Sequence, residues 1–149
     1  MIRWAALLLI APLLLIAAEP ASAATDIIPA SVLIQPDQLA GELKAAPPTI
    51  LQVGFSKLYQ QAHIPGAVYA GPTNSETGLA ALKAAAEKLS RDAPIVIYCG
   101  CCPWNRCPNM DAAYTALKAM GFSKLRALYI GNNFGQDWVD KGYPVVAGQ

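Results

Sequence analysis

The stretch PIVIYCGCCPWNRCPN, residues 94–109, sets the reading of the whole chain. Its first part, Ile95 to Tyr98, is an unbroken apolar run with β-branched side chains. A strand with one wet face alternates apolar with polar residues. A run that is apolar throughout reads as a strand covered on both faces, the habit of parallel sheets. The second part holds every thiol of the chain, Cys99, Cys101, Cys102 and Cys107, with Arg106 among them. The end, Pro108-Asn109, opens a helical pattern in which proline suits the first turn. A buried strand, a thiol-rich loop and a helix start thus follow one another directly.

Outward from this stretch, short strands alternate with helices. SVLI (31–34) is a short apolar run. PDQLAGELKA then opens with Pro36 and Asp37 and carries Leu39 and Leu43, the pattern of a short helix. TILQV (49–53) is a strand ended by Gly54, and FSKLYQQA supplies one or two helical turns. Pro65-Gly66 turns the chain into a brief strand at 67–69. The clearest helix is expected at 76–90, with apolar positions Leu79, Leu82, Ala86 and Leu89. After the thiol loop, PNMDAAYTALKAMGF predicts a helix stopped by Gly121. LRALYIG predicts a last strand, and NFGQDWVDKGYPV a last helical stretch. This alternation predicts one α/β domain with a mainly parallel central sheet flanked by helices. In such sheets sites form at the carboxyl ends of strands, which is where the thiol loop falls.

The chain has 149 residues, 54% hydrophobic and 14% charged, with a formal net charge of +1. That length suits a single domain, and the charge gives no footprint for nucleic acid or an anionic membrane. Residues 1–23, MIRWAALLLIAPLLLIAAEPASA, carry an early Arg3, an apolar run from Trp4 to Ala18, and the small-residue pattern Ala21-Ser22-Ala23. This is the order of a secretory signal peptide cleaved after Ala23. The apolar run is short for a membrane span of about 20 residues and Pro12 interrupts it, so no stable membrane insertion is expected after cleavage. The mature domain, residues 24–149, is expected in the periplasm or outside the cell, as a monomer.

Export changes how the thiols are read. Small secreted domains use cysteines as staples between distant segments, but all four here lie between positions 99 and 107. A bridge among them would close a tiny loop and restrict the unfolded chain little. The cluster is therefore read as local chemistry. A thiol acts as a nucleophile in its thiolate form, which helix N-termini and nearby cations favour. The helix at Pro108 and Arg106 offer both. Loop backbone N–H groups add an anion cradle, less the donor that Pro103 lacks.

At this point the chain resembles single-domain rhodanese-like proteins over nearly all of its mature length. TILQVGFSKLYQQAHIPGAVYA is similar to that family's segment of strand, short helix and His-Ile-Pro-Gly-Ala turn. PIVIYC resembles the strand that delivers its catalytic cysteine, AAYTALKAMGF the helix after it, and WVDKGYPV its C-terminal signature. The resemblance implies a three-layer α/β fold and a sulfurtransferase that stores sulfane sulfur as a cysteine persulfide. It implies a small sulfur-containing anion, thiosulfate or polysulfide, as donor, a thiol or protein as acceptor, and no cofactor. Cys99, Cys101 and Arg106 are the expected catalytic residues, and Gly100, Cys102, Trp104 and Asn105 the expected substrate-binding ones.

Two departures stand out. The family's Asp-x-Arg is replaced by Gln52-Val53-Gly54, so its buried ion pair is missing. The active loop is also longer than usual. The strand end places the nucleophile at Cys99, whereas the family's spacing of five to the arginine places it at Cys101. The firmer strand anchor tips the expectation towards Cys99. A phosphatase-type spacing of six points to Gly100, which has no thiol, and disfavours phosphoryl chemistry. Two alternatives stay open. Cys101, Cys102 and Cys107 could hold a thiophilic metal, Cu or Zn, or serve thiol–disulfide exchange. His63, the one histidine, is read as holding its turn rather than acting as a base, and Trp104 as packing the loop down.

Overall fold

The computed structural model describes residues 27–148; the expected leader, residues 1–23, lies outside them. In chain order the elements are β1 (Leu33–Ile34), α1 (Pro36–Glu42), β2 (Thr49–Gln52), α2 (Ser56–Gln61), β3 (Val68–Tyr69) and α3 (Glu76–Glu87). Then come β4 (Ile95–Tyr98), a 3-10 turn (Trp104–Arg106), α4 (Pro108–Ala119), β5 (Leu125–Leu128) and a π-helical turn (Gly135–Val139). The strands form one sheet of order β1-β5-β4-β2-β3, with every neighbouring pair parallel.

The apolar run of β4 does what its composition dictates. All four residues are buried, and successive side chains go to opposite faces. Ile95, Ile97 and then Cys99 join one core with Leu82 and Ala86 of α3 and Met110, Ala113 and Leu117 of α4. Val96 and Tyr98 join the other, with Leu39 of α1, Tyr59 of α2 and Trp138 of the π-helical turn. Helices on both faces of the sheet make three layers, as expected. Each fully buried aliphatic side chain contributes about 1.5–3 kcal/mol.

The helix ends follow local chemistry. α1 begins with a reciprocal box in which the Gln35 N–H donates to Gln38 Oε1 at 3.0 Å. In α3 the Ser75 hydroxyl accepts the Gly78 N–H at 3.1 Å. α3 stops at Glu87, short of the expected 90; Lys88 caps it, and beyond it Ser90 donates its hydroxyl to Asp92. Pro108 opens α4 and Gly121, at φ +88°, follows its end. The last helical stretch is a single π-helical turn, closed by Asp140 N–H donating to Gly135 O at 2.8 Å.

Candidate active site

Three elements converge at the carboxyl end of the sheet. β4 ends at Tyr98, opposite Gln52 at the end of β2, and α4 starts across the loop at Pro108. The chain leaves β4 through Gly100, whose φ of +75° suits glycine. A side chain there would also lie 2.6 Å from Phe134 Cβ, while Gly100 O accepts the Phe134 N–H at 3.0 Å. The loop is thereby turned back over the strand end, and four thiols meet.

Cys99, 3% exposed, points into the α3–α4 core and donates its S–H to Cys101 Sγ at 3.1 Å. Cys102 Sγ lies 3.0 Å from Cys101 Sγ. The sulfurs of Cys99, Cys101 and Cys107 all lie within 4.8 Å of one another. The Asn109 amide fixes their orientation. Its Oδ1 accepts the Asn74 N–H at 2.9 Å, which turns its Nδ2 towards Cys99 Sγ at 3.4 Å and Cys101 Sγ at 3.9 Å. Thr73 Oγ1 donates to the Asn109 carbonyl at 2.6 Å and holds the first turn of α4 in place.

Cys101 is the sulfur on which these donors converge, and the cluster's charge settles there. Hydrogen bonds from Cys107 and Cys99, with help from Cys102 and Asn109, hold the Cys101 thiol far down, at about 2. The neighbouring thiols keep their own protons. Cys99, donating to Cys101 and buried, is pushed up to about 12. Cys107 is raised, chiefly by the neighbouring Cys101 and Cys99 sulfurs, and Cys102 is raised chiefly by burial. Cys107 is also the residue that precedes the first turn of α4, so that helix start faces the cluster.

Cys101 is half-buried and lines two openings. One is a cavity of about 430 Å³ bounded by Gln52, Leu58, Gln61, Phe134 and Val139; among the described residues lining it there is no Asp, Glu, Lys, Arg or His. The other, beside α2, is bounded by Phe55, Lys57, Tyr69 and Pro72. Gly100 lines the first. Arg106 is exposed on the 3-10 turn and lines neither, and Cys102 Sγ donates to its carbonyl at 3.6 Å. Asn105 is exposed beside it, and Trp104 packs against Tyr129 at 5.3 Å between ring centroids. The structure thus gathers the four cysteines and Gly100 and leaves Arg106 and Asn105 at the rim. His63 stands apart, stacked on Tyr59 at 3.8 Å with its Nδ1 2.7 Å from Tyr59 O.

Three residues escaped sequence reasoning. Asn109, 1% exposed, sits in the first turn of α4, and its place just after the loop was the available signal. Gln52, 2% exposed, donates from Nε2 to Cys99 O at 3.3 Å. Its buried Oε1 has no partner among the described residues, a cost of about 1–3 kcal/mol until a donor enters the cavity it lines. At Gly54 an added side chain would stand 2.9 Å from Gln52 Nε2 and 3.0 Å from Cys99 Sγ. In this arrangement any larger residue at 54 would require Gln52 or Cys99 to shift. Cys99, Cys101 and Cys107 are also the residues that could surround one soft cation.

A family model described as the rhodanese-like domain matches residues 35–133. No curated protein sequence matches the chain. Among solved structures, the Alr3790 protein from Anabaena sp. is similar at 21% identity and TM-score 0.58, covering 77% of this chain and 92% of that one. The BH2092 protein from Bacillus halodurans is similar at 18% identity and TM-score 0.61, covering 78% and 77%. A thiosulfate sulfurtransferase from Pseudomonas aeruginosa is similar at 20% identity and TM-score 0.58, covering 78% of this chain and 20% of that one. At these identities the structural likeness shows the shared α/β fold.

Proposed function

The chain belongs to the rhodanese-like family, and we propose on that premise that it is a sulfurtransferase whose nucleophile is Cys101. The observation that carries the assignment is the convergence of the Cys99 S–H and the Asn109 amide on Cys101 Sγ, with the Cys102 and Cys107 sulfurs close by, which favours the thiolate at that sulfur. Strand position favoured Cys99, and both residues border the cavity, but Cys99 is buried with its thiol pushed up, whereas Cys101 is half-buried with its thiol held down. The spacing of five to Arg106 agrees with Cys101.

The first step is attack of the Cys101 thiolate on the outer sulfur of thiosulfate. A Cys101–sulfur bond forms, the sulfur–sulfur bond of the donor breaks, and sulfite leaves with the electron pair. The persulfide anion occupies the place of the thiolate and inherits its donors. Gln52 Oε1 faces an incoming S–H or N–H of the acceptor. Lys57, beside the second opening, and Arg106, at the rim, supply positive charge for an anionic donor. The acceptor is a thiol or cyanide-like nucleophile that takes the outer sulfur and returns Cys101 to the thiolate. No cofactor enters these steps. The reading includes export, with residues 1–23 removed.

The test is peptide mapping of the reduced protein quenched early after mixing with thiosulfate. The expected result is one added sulfur on Cys101, with transfer to cyanide abolished in Cys101→Ser. An adduct on Cys99 alone would reverse the assignment. A second reading has one observation in its favour, the three sulfurs within 4.8 Å: a site for Cu(I) or Zn(II). Stoichiometric metal in protein purified under reducing conditions, lost in Cys107→Ser, would support it over sulfur transfer.

A further inference from the structure

Sulfur transfer consumes one thiol, and the cluster holds more. Cys99 contributes no cross-link to the fold, yet it is held 3.1 Å from Cys101, sulfur to sulfur, with its S–H aimed at that atom. A disulfide is about 2.0 Å long, so bond formation needs an approach of roughly an ångström. Gly100, between the two, supplies the positive-φ turn that folds one thiol over the other. Phe134 packs against that turn and keeps it shut.

We propose a second activity at this site, resting on the sulfurtransferase reading: Cys99 resolves the Cys101 persulfide, so the loop reduces sulfane sulfur to sulfide and ends as a Cys99–Cys101 disulfide. Cys99 attacks Cys101 Sγ, the inner sulfur of the persulfide. The Sγ–Sγ bond forms and the bond to the outer sulfur breaks. The outer sulfur leaves as hydrosulfide, taking the bond's electron pair and the Cys99 proton. The sulfane sulfur gains two electrons and the two cysteine sulfurs lose one each. A small-molecule thiol or a protein dithiol must then reduce the loop. A bridge across a single residue is strained and so easily reduced, which suits a disulfide made to be reopened. The neighbouring thiol is already in place, an advantage no acceptor from solution has.

Thiosulfate separates the two steps, because its first product is sulfite and only the second step yields sulfide. The full chain, reduced and freed of thiols under anaerobic conditions, is mixed with thiosulfate alone. The expected result is one sulfite and one sulfide per chain, with a loop peptide two hydrogens lighter whose bridge maps to Cys99–Cys101. Cys99→Ser is expected to take up sulfur more slowly and to retain it on Cys101, with sulfide release down at least about tenfold. Should that variant fold poorly, the wild-type stoichiometry and mapping decide alone. Sulfite without sulfide would overturn resolution and leave sulfur transfer standing. A bridge mapped to Cys107 would overturn the role of Cys99. Neither sulfite nor a sulfur adduct would remove both readings.

Discussion

At the scale of the residue, Cys101 is the sulfur that accepts from both the Cys99 S–H and the Asn109 amide. An ordinary cysteine, with a pKa near 8.5, loses alkylation rate about tenfold per pH unit below that value. Cys101, held down at about 2, is thiolate throughout that range. Its alkylation by iodoacetamide should therefore stay nearly flat from pH 8 to pH 4, read by peptide mapping. A tenfold fall per unit would show that Cys101 keeps its proton. Asn109→Ala removes the one amide donor and should raise that threshold and slow sulfite release about tenfold, roughly one lost charge-assisted hydrogen bond. The sequence showed the thiols but not this division of roles. Which sulfur accepts depends on how Asn74 holds the Asn109 side-chain amide and Thr73 its backbone carbonyl, and they lie more than thirty positions away.

At the scale of the element, the strands and helices were legible because their signals are local. The all-apolar run of β4, the proline at the start of α4 and the glycine past its end each state a physical requirement that the fold meets. The loop was less legible. Counting from the strand end gave Cys99 and counting from Arg106 gave Cys101. The tie depended on Gly100, whose turn is closed by Phe134 from beyond β5. Gly100→Ala would put a side chain in the left-handed region and against Phe134. It should cost at least about 1–2 kcal/mol in denaturant unfolding and open the thiol cluster, which would lift the alkylation threshold of Cys101. An unchanged midpoint and unchanged pH profile would show that the turn does not hold the cluster. Gly54 teaches the same lesson, since its small size makes sense only beside Cys99, reached through β2–β4 pairing.

At the scale of the whole molecule, an all-parallel sheet between two helical layers delivers the thiol cluster to its carboxyl end. The family's ion pair at the end of β2 is absent, but Arg126 of β5 forms a bidentate pair with Glu42 of α1, both contacts at 2.7 Å. Hydrogen bonds from Arg126 hold the Glu42 carboxyl below its ordinary value. The pair's contribution is therefore complete above the ordinary carboxylate pKa of about 4.3 and is lost as pH falls through the lowered one. About a third of each side chain is exposed, which limits the contribution to about 0.2–1 kcal/mol. Glu42→Gln should be less stable than the wild type by that amount near pH 7, and the difference should close in strong acid. A gap that persists there would have another cause. The proposed export is tested on the whole chain as well: the mass of protein recovered outside the cytoplasm should place its first residue at Ala24, and an intact Met1 start would contradict it. All of this organisation serves one atom, so the account is tested most directly by sulfite release. The reduced protein, mixed with thiosulfate, should give a burst of one sulfite per chain that vanishes in Cys101→Ser and persists, slowed, in Cys99→Ser. A burst that survives in Cys101→Ser and disappears in Cys99→Ser would contradict it.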